Sequence, residues 1–359
     1  MSRPLLLLDD GLAPGGRAPE WLRDVAPLDA VVRPVTAGRP TAPELDELAP
    51  DAARCSGIWA VGGGSTLDLG KLLATTRDPR VADRLRRDDR AGLIPLGGEG
   101  GVRPPLTAVP TTLGTGSEAS GTACLTSEDR RRLVFGPALR PDEVLRHDAA
   151  TAGLPDELER RGAVEALLRA VGPYVGSGGA GEQRDARALD DALVLAGIAG
   201  RAATGRLRTA DRLRLAELSA ATHAPEYHAG RDPFSHRAWY LANELSSVTG
   251  LAKIPATALV LPAIWARALA GDERWGRADA VRRAWSRIAP EGADADPATG
   301  LPELLRTWRV LPAVPAGVDL DALALRTLRA WGGGLPTLAG LRRQDVRAVL
   351  RDALGEGPA

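Results

Sequence analysis

The stretch V-G-G-G-S-T-L-D-L-G-K, Val61 to Lys71, constrains this chain most, because it stands directly after the short apolar run Gly57–Val61. Consecutive glycines let the backbone turn sharply and approach an anion closely. The helix predicted to follow offers its free N–H groups and the positive end of its dipole at that turn. Ser65 is placed to cap this helix. The order strand, glycine turn, helix makes a pyrophosphate cradle, although the spacing is not G-x-G-x-x-G and a plain tight turn would explain one such motif. A second motif, P-T-T-L-G-T-G-S-E-A-S from Pro110 to Ser120, follows another apolar run. It sets hydroxyls and glycines at the carboxyl end of a strand, where open α/β sheets bind ligands. Two such motifs in the same context are hard to explain as plain turns.

The surrounding pattern agrees. Leu5–Leu8, Ala30–Val32, Gly57–Val61, Leu93–Leu96 and Leu106–Val109 read as buried parallel strands, each followed by a polar or Gly/Pro break. From about Pro155 long helical periods take over: 156–175, 184–223, 236–249, 256–270, 273–288, 301–310, 319–331 and 343–354. Residues 291–300 read as an exposed loop. The expected architecture is a doubly wound, mostly parallel α/β dinucleotide-binding domain over residues 1–155, followed by an all-α substrate domain over 156–359. A chain of 359 residues is long enough for two cores.

Charge and composition exclude several classes. Lysine plus arginine and aspartate plus glutamate balance at 46 each, and no like-charge block is long. Nothing therefore suggests a nucleic-acid or anionic-membrane partner. Arg130–Arg132 reads as a solvated turn. The start M-S-R-P-L-L-L-L-D-D is a buried strand, neither signal peptide nor membrane span. Cys55 and Cys124 make no disulfide framework and no zinc motif, which fits a reducing cytoplasm.

Residue types that are scarce elsewhere crowd into 223–253: His223, Tyr227, His228, Phe234, His236, Trp239, Tyr240, Asn243 and Lys253. The chain has only two lysines, Lys71 and Lys253, against an excess of arginine. A retained lysine suggests a place that needs a compact ammonium rather than a guanidinium fork. The alternative is a well-packed aromatic patch.

G-G-G-S-x-x-D-x-x-K followed by P-T-T-x-G-T-G-S-E resembles the iron-containing (group III) alcohol dehydrogenases, relatives of dehydroquinate synthase. The resemblance continues through L-P-D-E-L at 154–158, A-L-V-L-P at 258–262 and the region 335–346. It implies a dehydroquinate synthase-like fold, a cleft between the domains, a homodimer, and NAD or NADP as cofactor. Gly62, Gly63, Gly64, Ser65, Asp68 and Lys71 would serve the pyrophosphate. Thr111, Thr112, Thr115 and Ser117 would line the phosphate, ribose and nicotinamide side. The family's first strand and helix have no counterpart here. No carboxylate stands in residues 31–41, whereas Arg33 and Arg39 do, which leans slightly towards NADP.

The family's metal site departs further. The resemblance implies an Asp and three His as ligands. Glu165 stands for the Asp, Arg169 for the first His, Trp239 and Lys253 for the other two, and Asn243 for a further His near the nicotinamide. Arg, protonated Lys and Trp offer no lone pair to a metal, so no metal is expected. Arg169 and Lys253 could instead stabilise a developing alkoxide or bind a substrate carboxylate or phosphate. Tyr240 and His236 are candidate proton carriers. Glu165 and Arg169, four apart, could equally be a plain helix ion pair. The expected function is a metal-independent NAD(P)-dependent alcohol dehydrogenase or carbonyl reductase in secondary metabolism. A branch of similar character, the dehydrogenases of daptide-type peptide pathways, implies a peptide C-terminus as substrate, a terminal Thr being oxidised with decarboxylation. The other class is a non-catalytic nucleotide-binding or partner-binding homologue.

Overall fold

The structure is a computed structural model that describes every residue except 1, 15–16, 37, 39, 88–90, 98–102, 128–129, 178 and 356–359. Arg39 therefore lies outside the described residues. The chain divides into two compact units, one of residues 1–155 with 212–223, the other of residues 156–211 with 224–359.

The first unit is built on five strands: β1 (Leu5–Asp9), β2 (Val31–Val35), β3 (Ile58–Gly62), β5 (Leu106–Pro110) and β8 (Glu143–Val144). All pair in parallel, in the order β2-β1-β3-β5-β8. The near-continuous apolar character of β1, β3 and β5 follows from burial on both faces, whereas β2, expected as a buried strand, lies at the sheet edge and is mostly exposed. Leu5, Leu7, Ile58, Ala60, Leu106 and Ala108 pack on one side with Leu45 and Leu48 of α2 (Ala42–Arg54) and Leu67, Leu72 and Leu73 of α3 (Gly64–Thr75). Leu6, Leu8, Val61 and Val109 face the other way, onto Leu22 of α1 (Leu22–Val25). The alternation is the period-two geometry of a strand. Helix α3 lies so close to β3 that a Cβ at Gly70 would meet the Ala60 Cβ at 2.8 Å.

Leu93–Leu96 is not part of this sheet. Its strand β4 (Leu93–Pro95) pairs in parallel with β7 (Arg130–Phe135), which pairs antiparallel with β6 (Thr122–Ser127), making a second, three-stranded sheet. The reading of Arg130–Arg132 as a solvated turn is overturned by β7: Arg131 and Arg132 are buried. Arg132 donates to the Leu85 and Arg87 carbonyls at the end of α4 (Pro79–Arg86), at 2.6 and 2.7 Å. A guanidinium carries enough donors to satisfy helix-end carbonyls, so a run of arginines can be a buried strand. Helix α5 (Asp148–Ala152) follows β8.

The second unit is helical: α6 (Asp156–Gly176), α7 (Glu182–Thr204), α9 (Ala238–Thr249), α10 (Lys253–Leu269), α11 (Ala278–Ile288), α12 (Pro297–Thr307), α13 (Leu320–Trp331) and α14 (Arg343–Leu354). The span 184–223, expected as one helix, is two, α7 and α8 (Thr209–Ala221). At the break the buried Glu159 carboxylate of α6 accepts from the Leu207 backbone N–H at 2.9 Å. A residue on another helix thus holds the chain where periodicity alone runs on. The expected loop at 291–300 ends early, because Asp296 caps the Ala298 N–H and Pro297 fills the first helical position of α12. No described helix is long and apolar enough to cross a membrane.

Candidate functional site

In the first unit the two glycine motifs meet. A Cβ at Gly63 would come within 3.0 Å of Thr112 Cγ2, and one at Gly64 within 3.1 Å of Thr115 Cγ2. Gly62, at the end of β3, accepts the Thr111 N–H at 3.0 Å and would bring a Cβ within 2.5 Å of Thr66 Oγ1. The loops lie against each other because the glycines have no side chains. Ser65 does not cap α3. The N-cap is Gly63, no side chain bonds the first turn, and Ser65 already lies within the helix. The uncapped first-turn amides sit beside the half-buried Thr112 and Thr115, the arrangement that receives phosphate at a helix N-terminus.

Asp68, Lys71 and Ser117 are placed behind this surface. The Lys71 ammonium is fully buried. It donates to Ser117 Oγ at 2.7 Å, Ser120 Oγ at 2.9 Å and the Thr122 carbonyl at 2.9 Å, and pairs with Asp68 Oδ1 at 3.4 Å. Asp68 also accepts from Ser117 Oγ at 2.6 Å and from the Cys124 N–H at 2.9 Å. Burial pushes the Lys71 pKa down, and Asp68 opposes the shift. The compact ammonium suits this place, since several acceptors converge on one point. The network ties α3 to the second glycine loop. Ser120, which closes that motif, belongs to it too, as do Thr122 and Cys124, whose only sequence signal was standing just after the motif.

His223 belongs to this unit too. Its Nε2 lies 3.0 Å from the Thr115 carbonyl. Gly116, at φ +60°, would bring a Cβ within 2.3 Å of the His223 ring. Only glycine fits that position on both counts. Arg33, on β2, is paired with Asp51 at 2.7 Å. The strand beside β3 is β1, and it ends at Asp9 and Asp10. Asp9 accepts from Thr66 Oγ1 at 3.4 Å and Asp10 from Thr36 Oγ1 at 3.0 Å.

In the second unit, four predicted residues gather around one ring. The Lys253 ammonium, at the first residue of α10, lies 4.3 Å from the Trp239 ring centroid, and the Arg169 guanidinium lies 5.6 Å from it. The His236 ring stands 4.8 Å from that of Trp239. Glu165 Oε1 accepts from Arg169 Nη2 at 3.3 Å, one turn away on α6. Arg169 and His236 are buried. Burial, with the charges of Lys253 and Arg169, pushes the His236 pKa down to about 3, so its imidazole is neutral. Both of its ring nitrogens and the Trp239 indole nitrogen are buried without a hydrogen-bond partner among the described residues. Gly172 and Gly176, not singled out from sequence, make room for this segment. A Cβ at Gly172 would meet the His236 ring at 2.3 Å, and one at Gly176 the Ser235 carbonyl at 2.3 Å. Their four-residue spacing on α6, G-P-Y-V-G, was the available signal.

Among the described residues, Tyr240 and Asn243 make no hydrogen bond or ring contact with this cluster. Tyr240 packs on Trp331, 5.0 Å between ring centroids, and burial raises its pKa, so it stays a phenol. The rare-residue stretch therefore divides: His223 serves the first unit's loop, Tyr227 and His228 meet edge to face with ring centroids 4.9 Å apart, and His236, Trp239 and Lys253 form the cation–aromatic cluster.

The iron-containing alcohol dehydrogenase family model matches residues 1–147. A 4-hydroxybutyrate dehydrogenase of Cupriavidus necator is 31% identical over 185 residues, 48% of this chain and 45% of the relative. A phosphonoacetaldehyde reductase of Streptomyces viridochromogenes is 35% identical over 159 residues, 42% of this chain and 39% of the relative. The matched segments thus span less than half the length of these relatives. The crystal structure of NADH-dependent butanol dehydrogenase A from Thermotoga maritima has the same fold, with a TM-score of 0.79 at 19% identity over 98% of this chain and 91% of that one. Residues 1–147 are thus similar in sequence to the iron-containing alcohol dehydrogenases, and the chain shares its fold over nearly its whole length with a solved dehydrogenase.

Proposed function

We propose that the protein is an NAD(P)-dependent oxidoreductase that interconverts an alcohol and a carbonyl compound, with Lys253 and Arg169 in the electrostatic role that a metal fills elsewhere in the family. The observation that carries this reading is the pair of cations gathered around Trp239, at positions that match the family's metal ligands by resemblance.

A metal ion does not fit the residues present. Of Glu165, Arg169, Trp239 and Lys253, only Glu165 is a donor, and Arg169 already engages its carboxylate. Adding His236 gives two donors beside two cations, too few for a transition ion against water. Among the described residues, no group of three or more His, Cys, Asp or Glu could hold one. A dinucleotide does fit. Gly63, Gly64 and Ser65 would receive its pyrophosphate at the start of α3, with Thr112 and Thr115 beside it, while Lys71, Asp68 and Ser117 hold the two loops in register. When bound, its nicotinamide supplies the hydride donor or acceptor. Asp9 and Asp10 end the strand beside the glycine-loop strand, where a carboxylate accepts from a ribose 2′-hydroxyl and repels a 2′-phosphate. This supports NAD rather than NADP, and Arg33, engaged by Asp51, adds no counterweight.

In reduction, the carbonyl oxygen gains an electron pair as hydride reaches its carbon. The Lys253 ammonium stabilises that oxygen and hands it a proton, which solvent restores. Arg169, fixed by Glu165, adds positive potential. His236 contributes an N–H to the oxygen rather than a proton, since a neutral imidazole this reluctant to charge is a poor acid–base group. Tyr240, packed on Trp331, fits the proton-carrier role no better.

Lys253→Met tests the reading. It keeps the stem and removes the charge, and kcat should fall by roughly 10²–10³, the scale of one preorganised electrostatic group. NADH affinity should hold, and chelators should leave the parent enzyme's turnover unchanged. About one iron or zinc per chain, with turnover lost on chelation, would overturn the metal-free mechanism. Tight NADH binding with no turnover of any alcohol or aldehyde would favour the non-catalytic alternative.

A further inference from the structure

Among the described residues the charged groups of the Trp239 cluster are Arg169, Lys253 and Glu165, which leaves one positive charge over. Lys253 has no carboxylate and no hydrogen-bond acceptor among the described residues; the face of Trp239 is its recorded neighbour. Beside it, the indole nitrogen of Trp239 and both nitrogens of His236 are buried and unbonded. Buried polar groups are almost always satisfied, and leaving one unmade costs about 1–3 kcal/mol. An excess positive charge beside the orphaned indole N–H and the one N–H of a neutral imidazole describes a receptor for an anion.

The alkoxide of the proposed reaction cannot be that anion alone. It exists only transiently, whereas a bound neutral alcohol or ketone would leave the charge uncompensated. Resting on the reading of Lys253 and Arg169 as the cations of the reaction, we infer that the substrate carries a permanent monoanion close to its reacting carbon: it is a hydroxy acid when oxidised and an oxo acid when reduced. In oxidation the C–H bond gives its electron pair as hydride to the nicotinamide, the hydroxyl gives up its proton, and the carboxylate is unchanged. One planar carboxylate matches the leftover charge and can take the indole N–H and one of the three Lys253 donors, which leaves another Lys253 donor and the single N–H of neutral His236 for the reacting oxygen. A phosphonate, which carries more than one negative charge on average at neutral pH, would exceed the charge available. The two cations lie no farther apart than their two distances to the Trp239 centroid laid end to end. The carboxylate and the reacting oxygen are therefore near neighbours, as in 2- to 4-hydroxy acids.

The test pairs each acid with its neutral amide. Turnover with NAD and equilibrium binding are measured for 2-, 3- and 4-hydroxybutyrate and for the three hydroxybutyramides, in the parent protein and in Lys253→Met. At least one acid should bind and react at least tenfold better than its amide, and that preference should vanish in Lys253→Met while NADH affinity stays. Amides that match the acids at every chain length, or a preference that survives Lys253→Met, would overturn the inference. Efficient turnover of the amides alongside that result would leave the proposed oxidoreductase standing. Preferential binding of an acid without hydride transfer would support the anion receptor and sink the oxidoreductase instead.

Discussion

Lys71→Met is the most informative perturbation of the first unit. It removes a fully buried ammonium with Asp68, Ser117, Ser120 and Thr122 as partners, while methionine fills most of the stem's volume. Removing one partner of a buried pair costs about 3–5 kcal/mol. Two features place this case at the lower end. Asp68 keeps donors in Ser117 Oγ and the Cys124 N–H, and its side chain is 13% exposed. Burial also lowers the Lys71 pKa, so desolvation already offsets part of the pairing. Urea unfolding should therefore show a loss of about 3 kcal/mol. Adding Asp68→Asn removes the stranded charge, and the double variant should recover at least about 1 kcal/mol relative to additive losses. Because the network ties α3 to the second glycine loop, NADH affinity should fall about tenfold even where the variant is folded. A Lys71→Met protein within about 0.5 kcal/mol of the parent, the range of an ordinary surface change, would refute the assigned role.

Further outcomes follow from single contacts. Gly63→Val should abolish NADH binding in a folded protein, measured by fluorescence titration. Gly63 has an ordinary φ of −74°, so the penalty is the new side chain against Thr112 and the phosphate path rather than backbone strain. Unchanged affinity would reduce the loop to a turn. His236 should make the native state acid-sensitive. Its folded pKa of about 3 lies below the unfolded value of about 6.5. The unfolded chain therefore takes up a proton first, and stability present above about pH 6.5 is lost towards pH 3, by about 1.4 kcal/mol per pH unit. His236→Phe should flatten that part of the stability–pH curve. A variant with the parent's slope would mean the imidazole is not held neutral.

Much of the first unit was legible because its signals are local. A parallel strand buried on both faces is a bare apolar run, and Gly62–Gly64 and Thr111–Ser117 each report a turn that only small residues can make. What was not legible depends on residues far apart in sequence. Arg131 and Arg132 look solvated until α4 supplies carbonyls for Arg132. The break between α7 and α8 needs Glu159, which lies 48 residues before Leu207. Ser65 was a reasonable cap by residue type, but the helix begins two residues earlier than that role requires, at Gly64.

The candidate site in the second unit shows the same division. The resemblance pairs Arg169, Trp239 and Lys253 with the family's metal-ligand positions by register, but register gives only positions. What those positions became is decided by packing. Gly172 lets the His236 ring lie against α6, which buries the imidazole and sets it beside Trp239. Trp239 in turn offers its π-electrons to both cations, a stabilisation of about 0.5–2 kcal/mol each that needs no counter-carboxylate. An indole face can hold an ammonium without neutralising it, as a carboxylate would. On the proposed reading, the Trp239 face is therefore what makes an ammonium at Lys253 chemically useful: it holds the cation and leaves it open to a ligand.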